Sequence, residues 1–81
     1  MFGDRTMSGE IGTARISGGF IELCSLLKLE GMAESGGEAK QLISEGQVQV
    51  NGAAETRKRR KICAGDVVEC RGRAVRVADA D

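Results

Sequence analysis

At Gly46 the spacing of apolar residues switches from one repeat to another. Upstream, apolar side chains recur every three or four positions, the interval of one helix face. Downstream, Val48 and Val50 alternate with Gln47 and Gln49 and run into Asn51-Gly52. Alternation ending in Asn-Gly is a hairpin signal, because both residues of a type I′ turn need positive φ. A chain with helical repeats first and strand repeats second points to an α+β layout. Its helices then pack on one face of a small, mostly antiparallel sheet.

In the helical half, Phe20, Leu23, Cys24 and Leu27 fall on one stripe of a helix running from Phe20 to Glu30. Leu26 and Leu29 widen the stripe, and Gly31 supplies the left-handed stop. Ser35, followed three positions later by Glu38, is a capping box. It opens a second helix from about Gly36 to Glu45 that buries Ala39, Leu42 and Ile43. The short link makes the two helices a packed pair. In the strand half, Val67–Cys70 and Ala74–Val77 flank a turn at Arg71-Gly72, and Gly65-Asp66 is a turn before them.

With 81 residues the chain makes one domain. Residues 1–19 hold Ile11 and Ile16 as their only branched aliphatics and read as a flexible tail. The folded domain is expected over 20–77, and 78–81 forms a short acidic tail. No run approaches the roughly 20 apolar residues of a membrane span, and the start carries no apolar stretch of a signal peptide. Cys24, Cys63 and Cys70 are odd in number and lack CxxC spacing, so no disulfide framework and no metal site is expected. A reducing, cytoplasmic setting follows from that reading. With no His and no Cys beside a base, the chain offers no catalytic residue and no cofactor site, so it reads as a non-enzyme.

The formal net charge is zero, but its distribution is uneven. Arg57-Lys58-Arg59-Arg60-Lys61 is a run of adjacent cations with no carboxylate inside it, so nothing nearby is expected to neutralise it. Such a run repels itself, and a polyanion relieves the repulsion by releasing counterions. As an extended segment it would turn alternate residues to the same side. Arg57, Arg59 and Arg60 suit bidentate phosphate contacts, while Lys58 and Lys61 act as point charges. Neutralising the three arginines is expected to leave the fold intact. The start of the second helix adds a further anion site: Ser35, Gly36 and Gly37 leave backbone N–H groups open, with Lys40 one turn on. Asn51 offers a polar contact beside its turn role. With aromatics at 2%, stacked bases are not the basis of recognition.

Leu23, Leu27 and Gly31, then Ser35, Ala39, Ile43, Gly46, Val48, Val50, Asn51 and Gly52, and finally Gly65-Asp66-Val67-Val68 resemble the αL RNA-binding domain. That domain is named after the fourth protein of the small ribosomal subunit. Glu22–Gly31, Glu34–Lys40 and the basic segment from Glu55 to Lys61 look closer still to its stand-alone YbcJ-like branch. The resemblance implies a pair of helices on a small sheet and non-catalytic binding of structured RNA, ribosomal or transfer RNA among the candidates, by a monomer. Glu22 stands where the broader family often has Arg, and Gly36-Gly37 where it often has Arg-Ser. Both departures move weight onto the Arg57–Lys61 run. Two other readings stand beside this one. Val-Asn-Gly and Gly-Asp-x-Val also occur in small β-grasp sulfur carriers, although this chain ends Asp79-Ala80-Asp81 and not Gly-Gly. A protein-interaction module with acidic partners would also use the basic run.

Overall fold

A computed structural model describes residues 11–80. The main sheet has five strands: β1 (Gly12–Ile16), β3 (Val48–Val50), β4 (Ala53–Ala54), β6 (Val67–Cys70) and β7 (Arg73–Asp79). Their spatial order is β1-β7-β6-β3-β4. Every pairing is antiparallel except β1 with β7, which is parallel. A separate ribbon pairs β2 (Ile21–Glu22) with β5 (Lys61–Ile62). The helices are α1 (Leu23–Leu29) and α2 (Gly36–Ser44).

The architecture is the expected α+β pair of helices on a mostly antiparallel sheet. Leu23, Leu26 and Leu27 of α1 and Ala39, Leu42 and Ile43 of α2 are buried. They join Val48, Val50, Val68, Val75, Val77 and Ile62 in one aliphatic core. Each Leu, Ile and Val among them contributes on the order of 1.5–3 kcal/mol when fully removed from water. The Asn-Gly hairpin forms as read: Asn51 has φ 54° and Gly52 φ 85°, and Val50 pairs with Ala53 across them.

Two boundaries differ from expectation. Residues 12–16 form β1 and do not belong to a flexible tail. Ala14 and Ile16 are buried while Thr13 and Arg15 face out, a period of two that becomes favourable once β7 supplies the ladder. Residues 1–10 of that expected tail lie outside the described residues. At the other end β7 continues to Asp79, so Ala78 and Asp79 are sheet residues and not part of an acidic tail. Position 81 lies outside the described residues.

The first helix also begins later than its stripe suggests. Phe20 is 44% exposed and precedes α1, because Ile21 and Glu22 pair with Ile62 and Lys61 instead. Leu29, at the other end, is exposed. Among the described residues no helix is long and apolar enough to cross a membrane.

Candidate nucleic-acid interface

The basic run is a turn, not an extended segment. Arg60 N–H donates to the Arg57 carbonyl at 3.3 Å. The turn is bonded to the rest of the fold by its main chain. Leu23 N–H donates to the Arg60 carbonyl at 2.9 Å, and Cys24 N–H to the Lys58 carbonyl at 3.1 Å. These are the first amides of α1, whose N-cap Glu22 makes no side-chain capping bond. The turn carbonyls therefore do the work of a cap.

The expectation that nothing neutralises the run is corrected. Glu55 is buried, and its carboxylate accepts from Arg57 N–H, Nε and Nη2 at 2.9, 3.0 and 3.1 Å and from Arg60 Nη1 at 2.7 Å. The Arg57 side-chain bonds, followed by its backbone N–H, hold the Glu55 carboxyl far below the usual carboxylate range. Arg59 Nε donates to Glu22 Oε2 at 3.1 Å. Glu22 lies 37 positions away in sequence, so only the fold brings it there. Lys58 and Lys61 have no carboxylate partner among the described residues. Five cations against these two glutamates leave the turn and its surroundings clearly positive. The arginines differ in freedom: the Arg57 and Arg59 side chains are 71% and 79% exposed, and Arg60 only 32%.

At the mouth of α2, Ser35 Oγ accepts from Glu38 N–H at 3.1 Å, the forward half of the capping box. The return half is displaced by one residue. Glu38 Oε1 accepts from Glu34 N–H at 2.6 Å, and Oε2 from Arg71 Nη2 at 3.3 Å. The Glu34 N–H, with help from Arg71, lowers the Glu38 pKa despite the opposing desolvation. Gly36 N–H has no carbonyl one turn back within the helix. A Cβ at Gly36 would meet nothing within 4 Å, so an anion can approach its backbone closely.

Two adjoining depressions organise these groups. One, of about 360 Å³, is lined by Glu22, Cys24, Ser25, Lys28, Gly36, Lys40 and Arg59. The other, of about 580 Å³, is lined by Arg57, Arg59, Arg60 and Lys61. Arg59 belongs to both and joins the helix-pair side to the turn. The fold thus brings Gly36 and Lys40 together with the basic run. It also adds Lys28, which the sequence reading passed over. The available signal was only that Ser25 and Lys28, three positions apart, share a face away from the apolar stripe; that this face lies beside the start of α2 comes from the fold.

Of the expected site residues, Ser35 and Asn51 have other primary duties, and Gly37 and Lys58 line neither depression. Ser35 caps α2. Asn51 Nδ2 donates to Asp66 Oδ1 at 3.1 Å, and its Oδ1 accepts from Val67 N–H at 3.0 Å. That amide is committed at both ends, and it ties the hairpin to the Gly-Asp turn.

The S4 domain model matches residues 14–78, most of the chain. The chain belongs to the S4 domain family. The match begins inside β1 and ends inside β7, so the parallel edge strand is part of the S4 domain here. The chain is 61% identical over 57 residues to an Escherichia coli (strain K12) protein named "Putative RNA-binding protein YbcJ", covering 70% of this chain and 81% of that one. It is 46% identical over 52 residues to a Bacillus subtilis (strain 168) protein named "Probable ribosome maturation protein RlbA", covering 64% and 73%. The solution structure of YbcJ from E. coli, described as revealing an αL motif involved in RNA-binding, superposes with a TM-score of 0.60 at 54% identity. That match covers 83% of this chain and 89% of that one. The αL resemblance and the YbcJ-like branch seen in the sequence therefore hold.

Proposed function

We propose that this S4 domain is a non-catalytic RNA-binding module that grips structured RNA by its phosphates. The observation that carries the reading is the pair of depressions sharing Arg59, with Lys28, Lys40 and the open Gly36 backbone on one side and the basic turn on the other. Arg59 offers a planar fork to phosphate oxygens once it leaves Glu22. Lys28, Lys40, Lys58 and Lys61 act as point charges, and Arg57 and Arg60 contribute the N–H donors that Glu55 leaves unused. The site reads backbone geometry and shape, which is how double-helical RNA is recognised when its narrow major groove is closed to side chains. Because one relative is named for ribosome maturation, ribosomal RNA is the first ligand to try, with transfer RNA second. The module acts as a cytoplasmic monomer in this reading, and any chemistry on the RNA belongs to other proteins.

The test is fluorescence anisotropy against labelled ribosomal RNA fragments and transfer RNA across a salt series. About four phosphates neutralised give a slope of log K on log salt near −3 to −4. A titration that stays flat rejects phosphate binding. An acidic protein partner is distinguished by nuclease treatment of a pull-down, which removes RNA-mediated partners and spares direct ones.

A further inference from the structure

We infer that Phe20 is a stacking platform for one unpaired nucleobase, so that the module favours RNA carrying a single unpaired nucleotide beside a helix. The inference rests on the RNA-binding reading above and names the class of RNA within it. Phe20 is the only aromatic side chain among the described residues, and it stands 44% exposed in a protein whose core is otherwise aliphatic. Its backbone is anchored on the C-terminal side: Ile21 packs against the core and pairs with Ile62. The Lys61 ammonium sits over the ring at 4.9 Å from its centroid. Lys61 also lines the depression shared with Arg57, Arg59 and Arg60. The ring therefore stands half-exposed at the rim of the cationic surface, with a cation over one face.

That combination suits a nucleotide. A base stacks on an aromatic face whatever its sequence, while neighbouring cations hold the backbone. The ammonium on the far face is held by the ring's quadrupole and keeps positive charge next to the stacked base. Bases inside an A-form helix are already stacked and cannot reach the ring. Only a splayed, unpaired base can. An isolated exposed hydrophobic is common on protein surfaces, and a leucine would satisfy that role equally well. The test turns on this difference.

Two RNA hairpins are compared, identical except that one carries a single bulged 2-aminopurine. The chain has no Trp or Tyr to mask the fluorescence of that base. The wild-type protein is expected to bind the bulged hairpin about tenfold more tightly than the fully paired one and to quench the 2-aminopurine. Phe20→Leu should bind the paired hairpin as the wild type does, yet lose both the preference and the quenching. Equal wild-type affinity for the two hairpins overturns the inference without recourse to any variant. So does a Phe20→Leu protein that still prefers and quenches the bulge. In either case binding to the paired hairpin leaves the phosphate reading standing. If neither hairpin binds, the RNA reading fails and this inference falls with it.

Discussion

Replacing Lys28 and Lys40 together by Gln tests whether the groove between the helices takes phosphates. Both side chains are exposed and lack ion pairs among the described residues, and both line the depression with Gly36 and Arg59. Gln removes the charge at nearly the same helix propensity as Lys. Lys28 is the basic residue in the last turn of α1, so its loss removes a few tenths of a kcal/mol of dipole interaction and little else. The binding effect is larger. If the module neutralises about four phosphates, log K falls with a slope near −3.6, and affinity drops about 150-fold between roughly 50 and 200 mM salt. Removing two contacts brings the slope near −1.8 and the drop to about 12-fold over the same range. The control is Arg15→Gln with Arg76→Gln, an equal change of charge at exposed positions of β1 and β7 that line neither depression. Anisotropy titrations of all three proteins, with melting curves to verify the fold, decide the matter. A slope unchanged in the groove variant refutes the site. A control that flattens as much as the groove variant shows that net charge, and not this groove, drives binding.

Arg57→Gln with Arg60→Gln should destabilise the protein in denaturant titrations, because it strips a buried carboxylate of its charged donors. An unchanged or higher midpoint would restore the view that repulsion in the run dominates. Asn51→Ala should cost about 1–2 kcal/mol, from two lost hydrogen bonds and an alanine forced to positive φ, with affinity per folded molecule unaltered. Weaker RNA binding by that folded variant would put Asn51 back in the interface. Glu55 and Asp66 both have lowered pKa values, Glu55 first through the Arg57 side chain and Asp66 first through the Cys63 N–H. Their stabilisation is complete above the ordinary values of 4.5 and 3.8 and is lost progressively as pH falls from there through the depressed folded values. The denaturation midpoint should therefore decline on the acid side of those ordinary values, and Glu55→Gln should flatten the decline. An acid limb just as steep in that variant contradicts the assignment.

What could be read from the sequence was local. Val48, Val50 and Asn51-Gly52 determine a hairpin within a few residues, and α2 starts where Ser35 and Glu38 say it should. What could not be read depends on distant partners. Ala14 and Ile16 are too small a signal among glycines and serines until β7 is beside them. Phe20 continues the helical stripe in sequence, yet its neighbours gain more from pairing with β5 and from the carbonyls of the basic turn. The charge of Arg57–Lys61 was plain, but Glu22 reaches Arg59 only through the fold. Lys28 enters the site for the same reason, since nothing local says that α1 lies along the mouth of α2.

The two glutamates at the turn divide the arginines into different roles. An exposed ion pair contributes only about 0.2–1 kcal/mol, and Arg59 is the most exposed of the three arginines. Exchanging Glu22 for an RNA phosphate is thus a small loss against a charge-assisted, two-pronged gain. Arg60 is different. Its 2.7 Å bond goes to a carboxylate whose side chain is only 10% exposed, and withdrawing it would leave that oxygen short of a donor. Arg57 shares the same carboxylate through three donors. In the proposed binding mode these two arginines are expected to stay with Glu55, and Arg59 and the lysines to turn to the RNA. The turn itself does not need to be ordered by the ligand, because its carbonyls already hold the first amides of α1. Binding is then spared much of the loop-ordering cost that a free basic segment would incur, and so many cations can be kept together in so small a domain.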